Sequence, residues 1–119
     1  MNNLNNKKFF ICATEQSGDN LGKYIITKLL NNSNSLSFDG VGGNKMLPLM
    51  NDQFYSLKDF KSIGLIEVIS SLRKYIYMIN QLSRLIVQNK YDAIITIDSP
   101  DFNYPLAKKI RKKGYKGKI

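Results

Sequence analysis

The residues best suited to chemistry are carboxylates in two short polar turns. One turn reads Asp98-Ser99-Pro100-Asp101-Phe102-Asn103 and follows the apolar, β-branched run Ala93-Ile94-Ile95-Thr96-Ile97. A carboxylate at the carboxyl end of a buried parallel strand stands at a cleft mouth, where partial desolvation suits it to general-base work. Asp98 is expected to be the available carboxylate. Asp101 is expected to serve the start of the next helix, which Asn103 opens, with Pro100 stiffening the bend. In the simpler reading, both aspartates only cap that helix or satisfy turn amides. The other turn, Thr14-Glu15-Gln16-Ser17-Gly18-Asp19, follows the apolar run Phe9-Phe10-Ile11-Cys12-Ala13. Ser17 is the expected N-cap, Gly18 would let a ligand approach the backbone, and free amides at a helix start favour an anion. Glu15 could accept a hydrogen bond from a sugar hydroxyl. The turn carries neither a G-x-G-x-x-G fingerprint nor a P-loop. Its simpler reading is a capped helix with acidic residues complementing the dipole.

Hydrophobic periodicity supplies the elements that must hold these turns. Residues 9–13 and 91–98 read as buried strands, 36–41 as another, and 54–57 as a brief one. Leu21, Tyr24, Ile25, Lys28 and Leu29 recur at helical spacing until Asn31-Asn32-Ser33. A short helix is expected at 45–50 and a basic one at 104–113, with Gly114 as its stop. Between 63 and 89, Leu65, Ile69, Leu72, Ile76, Ile79, Leu82 and Ile86 are spaced by three and four, as one helical face turned to the sheet. Gly40-Val41-Gly42-Gly43 is expected to be a turn needing positive φ. Lys116-Gly117-Lys118-Ile119 looks like the approach to another strand. Strands alternating with helices imply βαβ units and a mostly parallel sheet, with chemistry where strands end and helices begin.

Composition narrows the chemistry. The chain has 119 residues, 43% of them apolar, enough for one core. Its single cysteine, Cys12, excludes an intrachain disulfide framework, and the absence of histidine removes a serine–histidine triad. One buried thiol fits a reducing, cytoplasmic compartment. Eighteen basic residues against nine acidic give +9, which favours anionic partners. Lys108, Lys109, Arg111, Lys112, Lys113, Lys116 and Lys118 crowd the last stretch. With only Tyr115 among them for base stacking, they suit phosphate or anionic lipid better than nucleic acid. Residues 1–6 are polar and asparagine-rich and are expected to be disordered. On the long helix, Ile66 and Tyr77 fall off the main stripe with Arg73 between them, the pairing of apolar and basic groups that an interfacial membrane contact requires. Scattered surface apolar residues are the ordinary alternative.

Four blocks together closely resemble the lipid-A-disaccharide synthase family. They are Ala13-Thr14-Glu15-Gln16-Ser17-Gly18-Asp19, Gly40-Val41-Gly42-Gly43 with Met46, Ile63-Gly64-Leu65-Ile66-Glu67-Val68, and Ile97-Asp98-Ser99-Pro100-Asp101-Phe102-Asn103. Thr14 stands where the family has glycine and Asn44 where proline is common. The resemblance implies an α/β fold with a Rossmann-like, mostly parallel sheet flanked by helices, the truncated N-terminal half of a GT-B glycosyltransferase. Residues 7–119 would be part of the acceptor-side domain, with the C-terminal UDP-sugar domain absent. The implied reaction condenses UDP-2,3-diacylglucosamine with 2,3-diacylglucosamine 1-phosphate, with inversion, giving lipid A disaccharide 1-phosphate and UDP. Asp98 would be the base that deprotonates the acceptor 6-hydroxyl. Glu15, Ser17, Gly18, Asp19, Asp101 and Asn103 would line the substrate cleft. No metal or cofactor is implied, and the isolated fragment is expected to be inactive. Acylated substrates imply a peripheral place on the inner face of the inner membrane, with Ile66, Arg73 and Tyr77 in contact.

Two other readings fit some of the residues. One is another GT-B enzyme handling a UDP-sugar, against which the block at 98–103 argues. The other is a non-catalytic basic α/β module binding anionic membranes or phosphorylated ligands, whose affinity would fall steeply with salt.

Overall fold

The structure, a computed structural model, describes residues 6–33, 35–60 and 68–119, with backbone alone over 68–71. Strand β1 spans Lys7–Ala13, helix α1 Gln16–Asn32, β2 Leu36–Gly42, β3 Asp52–Ser56, α2 Val68–Asn89, β4 Ala93–Ile97 and α3 Pro100–Lys112. Two 3₁₀ turns, Leu47–Leu49 and Leu57–Phe60, flank β3. The expected disordered stretch 1–6 lies outside the described residues apart from Asn6. So do Ile63, Gly64, Leu65, Ile66 and Glu67.

All four strands are parallel, in the order β3-β2-β1-β4. The chain steps outward from β1 to β3, then crosses back to place β4 on the other side of β1. That reversal opens a crevice beyond the carboxyl ends of β1 and β4, where ligands bind in open parallel sheets. Ala13 pairs with Ile97, so Thr14 and Asp98 leave neighbouring strands at the same level. Past α3 the chain returns to the free side of β4, where the Lys118 carbonyl accepts from the Ile94 amide at 2.9 Å. The expected approach to a further strand is present.

Strand alternation divides the core. Ile11, Ala13 and Ile97 pack with Ile26, Phe38 and Met46 on the α1 side. Phe10, Cys12 and Ile94 pack with Leu82, Ile86, Leu106 and Ile110 on the side of α2 and α3. Each large apolar side chain so buried contributes about 1.5–3 kcal/mol, which fixes strand register and helix placement together. Cys12 is fully buried, and burial alone pushes its thiol far above the ordinary value.

Several boundaries differ from the sequence reading. Helix α3 begins at Pro100, four residues before the expected start, because proline is preorganised for the first helical position. The expected short helix at 45–50 is a 3₁₀ turn. On α2 the buried face is Met78, Leu82, Ser83 and Ile86, whereas Leu72 and Ile76 are 58% and 53% exposed. An exact spacing of three and four drifts around a helix of 3.6 residues per turn, so a single face cannot hold the whole expected stripe. The glycine run is not a simple turn. Gly40 alone has positive φ, at 153°, and lies inside β2, where a Cβ would come 1.9 Å from the Ile11 carbonyl oxygen.

Candidate active site

Both polar turns stand at the crevice, joined by a chain of hydroxyls. The Thr14 hydroxyl, at the end of β1, donates to Ser99 Oγ at 2.5 Å, and Ser99 Oγ donates to Glu15 Oε2 at 3.4 Å. A pocket of about 90 Å³ lies among Thr14, Glu15, Ser99 and Asp101, with Phe60, Tyr75 and Phe102 as its aromatic wall. Phe102 meets Phe60 edge to face at 4.8 Å between centroids and Tyr75 at 5.8 Å. Such packing fixes ring orientation and leaves a rigid apolar surface under a polar rim. The space suits a few heavy atoms of a larger ligand, with hydroxyls meeting the rim and carbon the wall. A larger groove, about 1030 Å³, runs along α3 past Tyr104, Lys108 and Lys112 to Ile119, with no aspartate or glutamate among the described residues that line it.

Asp98 directly follows β4, precedes the pocket residue Ser99 and is exposed. The desolvation expected of it is not supplied by these residues, and it does not line the small pocket. Its backbone is unusual: Asp98 and Ser99 take successive left-handed conformations, φ 50° and 46°. For residues with a Cβ each such conformation costs about 1–2 kcal/mol and persists only where the surroundings enforce it. The double left-handed step turns the chain sharply from β4 into α3.

Asp101 lies exposed in the first turn of α3, where a carboxylate complements the helix dipole. Ser99, not Asp101, occupies the N-cap position, and its amide-accepting group is the backbone carbonyl. That carbonyl takes hydrogen bonds from Phe102 and Asn103 at 3.0 and 2.8 Å. Asn103 is buried within the helix rather than opening it. At the other turn Glu15 is the N-cap of α1, without a side-chain cap hydrogen bond, which moves Ser17 from the expected cap into the exposed first turn. Gly18 is buried against Ala13 and Ile97. Asp19 is 1% exposed. Its Oδ1 accepts from the amides of Gly43 and Met46 at 2.8 and 3.1 Å, and its Oδ2 from that of Lys45 at 3.0 Å.

Three site residues were not legible as such. Thr14 and Ser99 read as generic turn residues, yet they tie the turns together. Tyr75, half-buried on α2, places its hydroxyl by the pocket and donates to the Phe60 carbonyl at 3.3 Å. Burial first, then the charges of Asp101 and Glu15, push that hydroxyl above the ordinary tyrosine value, so it stays a donor. An aromatic within a helical apolar pattern gives no sequence signal of such a role.

The fold and this rim define a Rossmann-like α/β domain with a carboxylate-edged crevice at its topological switch point. The family described as lipid-A-disaccharide synthetase matches residues 9–119, and the chain belongs to that family. It is 36% identical over 91% of its length to the lipid-A-disaccharide synthase of Colwellia psychrerythraea. The like-named protein of Rickettsia typhi is 39% identical over 89% of the chain, and that of Chlamydia trachomatis 36% over 92%. The chain spans only 28% of the first two relatives and 18% of the third.

Proposed function

We propose that this chain forms the acceptor-side part of an inverting hexosyltransferase of lipid A assembly. The complete protein condenses UDP-2,3-diacylglucosamine with 2,3-diacylglucosamine 1-phosphate and releases UDP. Family membership supports the reaction class. The observation that supports the site is Asp98, exposed beside the rim that Glu15, Ser99 and Asp101 share. Asp98 takes the proton from the acceptor 6-hydroxyl as that oxygen attacks the anomeric carbon and UDP departs. A single base on the acceptor side suffices for inversion. Glu15, Ser17 and Asp101 meet the sugar from the rim. Gly18, Asp19 and Asn103, all buried, complete the proposed site. The donor's UDP is bound by a C-terminal domain of the complete protein, outside residues 7–119.

The lipid substrates place the enzyme at the inner face of the inner membrane. Tyr77 is 60% exposed on α2, one turn from the exposed Arg73, which supports a contact there. Ile66, the third residue of that contact, lies outside the described residues.

Asp98→Asn in the complete protein tests the proposal. Turnover falls by about 100-fold or more while substrate binding holds, as loss of a general base requires. Near-normal turnover would remove Asp98 from the role.

A further inference from the structure

Asn103 is 4% exposed, and its carboxamide is used within the chain. Its Nδ2 donates to the Asp98 carbonyl at 2.7 Å and to the Ile97 carbonyl at 3.3 Å. Its backbone amide donates to the Ser99 carbonyl at 2.8 Å. One residue therefore grips the carbonyls of three consecutive residues, two of them left-handed and neither a glycine. These conformations are unfavourable by themselves and need an enforcing contact. Asn103 Oδ1 is meanwhile buried with no hydrogen-bond partner among the described residues.

We infer that Asn103 is a positioning residue that acts through Asp98, its carboxamide locking the left-handed pair so that the carboxylate is held at the rim. The inference rests on the reading of Asp98 as the general base. Isosteric Asn103→Asp keeps the shape but replaces the donor by acceptors facing two carbonyls, and Asn103→Ala removes both carboxamide bonds while the backbone bond to Ser99 stays. In the complete transferase, this chain joined to the remainder its relatives carry, both variants lose 10- to 100-fold in kcat with KM for the acceptor within about twofold. A rise in acceptor KM matching the loss, or near-normal kcat in the Asp variant, would overturn the inference.

A second measurement needs no variant and no turnover. In the unmutated 119-residue chain, NMR couplings across hydrogen bonds connect the Asn103 carboxamide nitrogen to the carbonyl carbons of Asp98 and Ile97. Their absence would overturn the clamp even where the variants fail to fold. If the unmutated complete protein makes no disaccharide, the functional reading fails, while the couplings still decide whether the clamp exists.

Discussion

Asp19 Oδ1 and the Gly43 amide lie 2.8 Å apart, a hydrogen bond that ties the helix following β1 to the loop following β2. With the Lys45 and Met46 amides, it leaves one buried carboxylate satisfied by three backbone donors. No side chain fits at position 43, since a Cβ there would come 2.6 Å from Asp19 Oδ2. Asp19→Asn keeps the shape but turns a donor toward donors. It is expected to cost about 3 kcal/mol, read as a lowered urea midpoint, because charged buried hydrogen bonds are lost together. A change under about 0.5 kcal/mol would mean that the loop is held by other contacts.

Gly40→Ala is expected to be more damaging still. The new methyl would meet the Ile11 carbonyl at 1.9 Å in the middle of the sheet, at a φ that side chains avoid. A loss above about 4 kcal/mol, or insoluble expression, is the expected outcome. A soluble variant with a native thermal melt would contradict the close β1–β2 approach.

Alkaline stability is set in part by Tyr91. Its hydroxyl donates to Asp39 Oδ2 at 2.7 Å, while Asp39 Oδ1 accepts the Asp52 amide at 3.1 Å. Burial first, then the hydrogen bond to Asp39 and its charge, raise Tyr91 well above the ordinary tyrosine value. A raised folded value means the stabilisation is complete below the unfolded value, about pH 10, and is lost as pH climbs beyond it. Tyr91→Phe is expected to cost about 1 kcal/mol at neutral pH. It should also flatten the decline in denaturation midpoint above pH 10. An unchanged slope would assign the alkaline loss to other groups.

Membrane contact is open to a direct assay. Ile66→Ser with Tyr77→Ser is expected to reduce co-sedimentation with phosphatidylethanolamine–phosphatidylglycerol vesicles several-fold, since both apolar anchors are removed and Arg73 remains. Equal sedimentation of variant and parent would exclude this face.

The sheet was legible because buried parallel strands are short, continuous apolar runs, and Phe9 to Ala13 and Ala93 to Ile97 carry that signature. The two turns were legible for the same reason, as the polar residues where those runs stop. Local chemistry misled where tertiary context decided the matter. Ser17 is a good cap by type, but Glu15 holds the geometry of the cap. Nothing local announces that residues 43–46 will fold over Asp19, 24 to 27 positions away. The left-handed pair at 98 and 99 carries no glycine or asparagine to signal it, and its enforcing contact comes from the helix that follows.

Cys12 gives the fold an internal gauge. Its sulfur lies in the central strand with no solvent contact and no tendency to ionise, so a thiol reagent reaches it only when β1 separates from its neighbours. The speed of labelling in native buffer then counts openings of the molecule's middle, and oxidants that scar surface thiols leave Cys12 untouched.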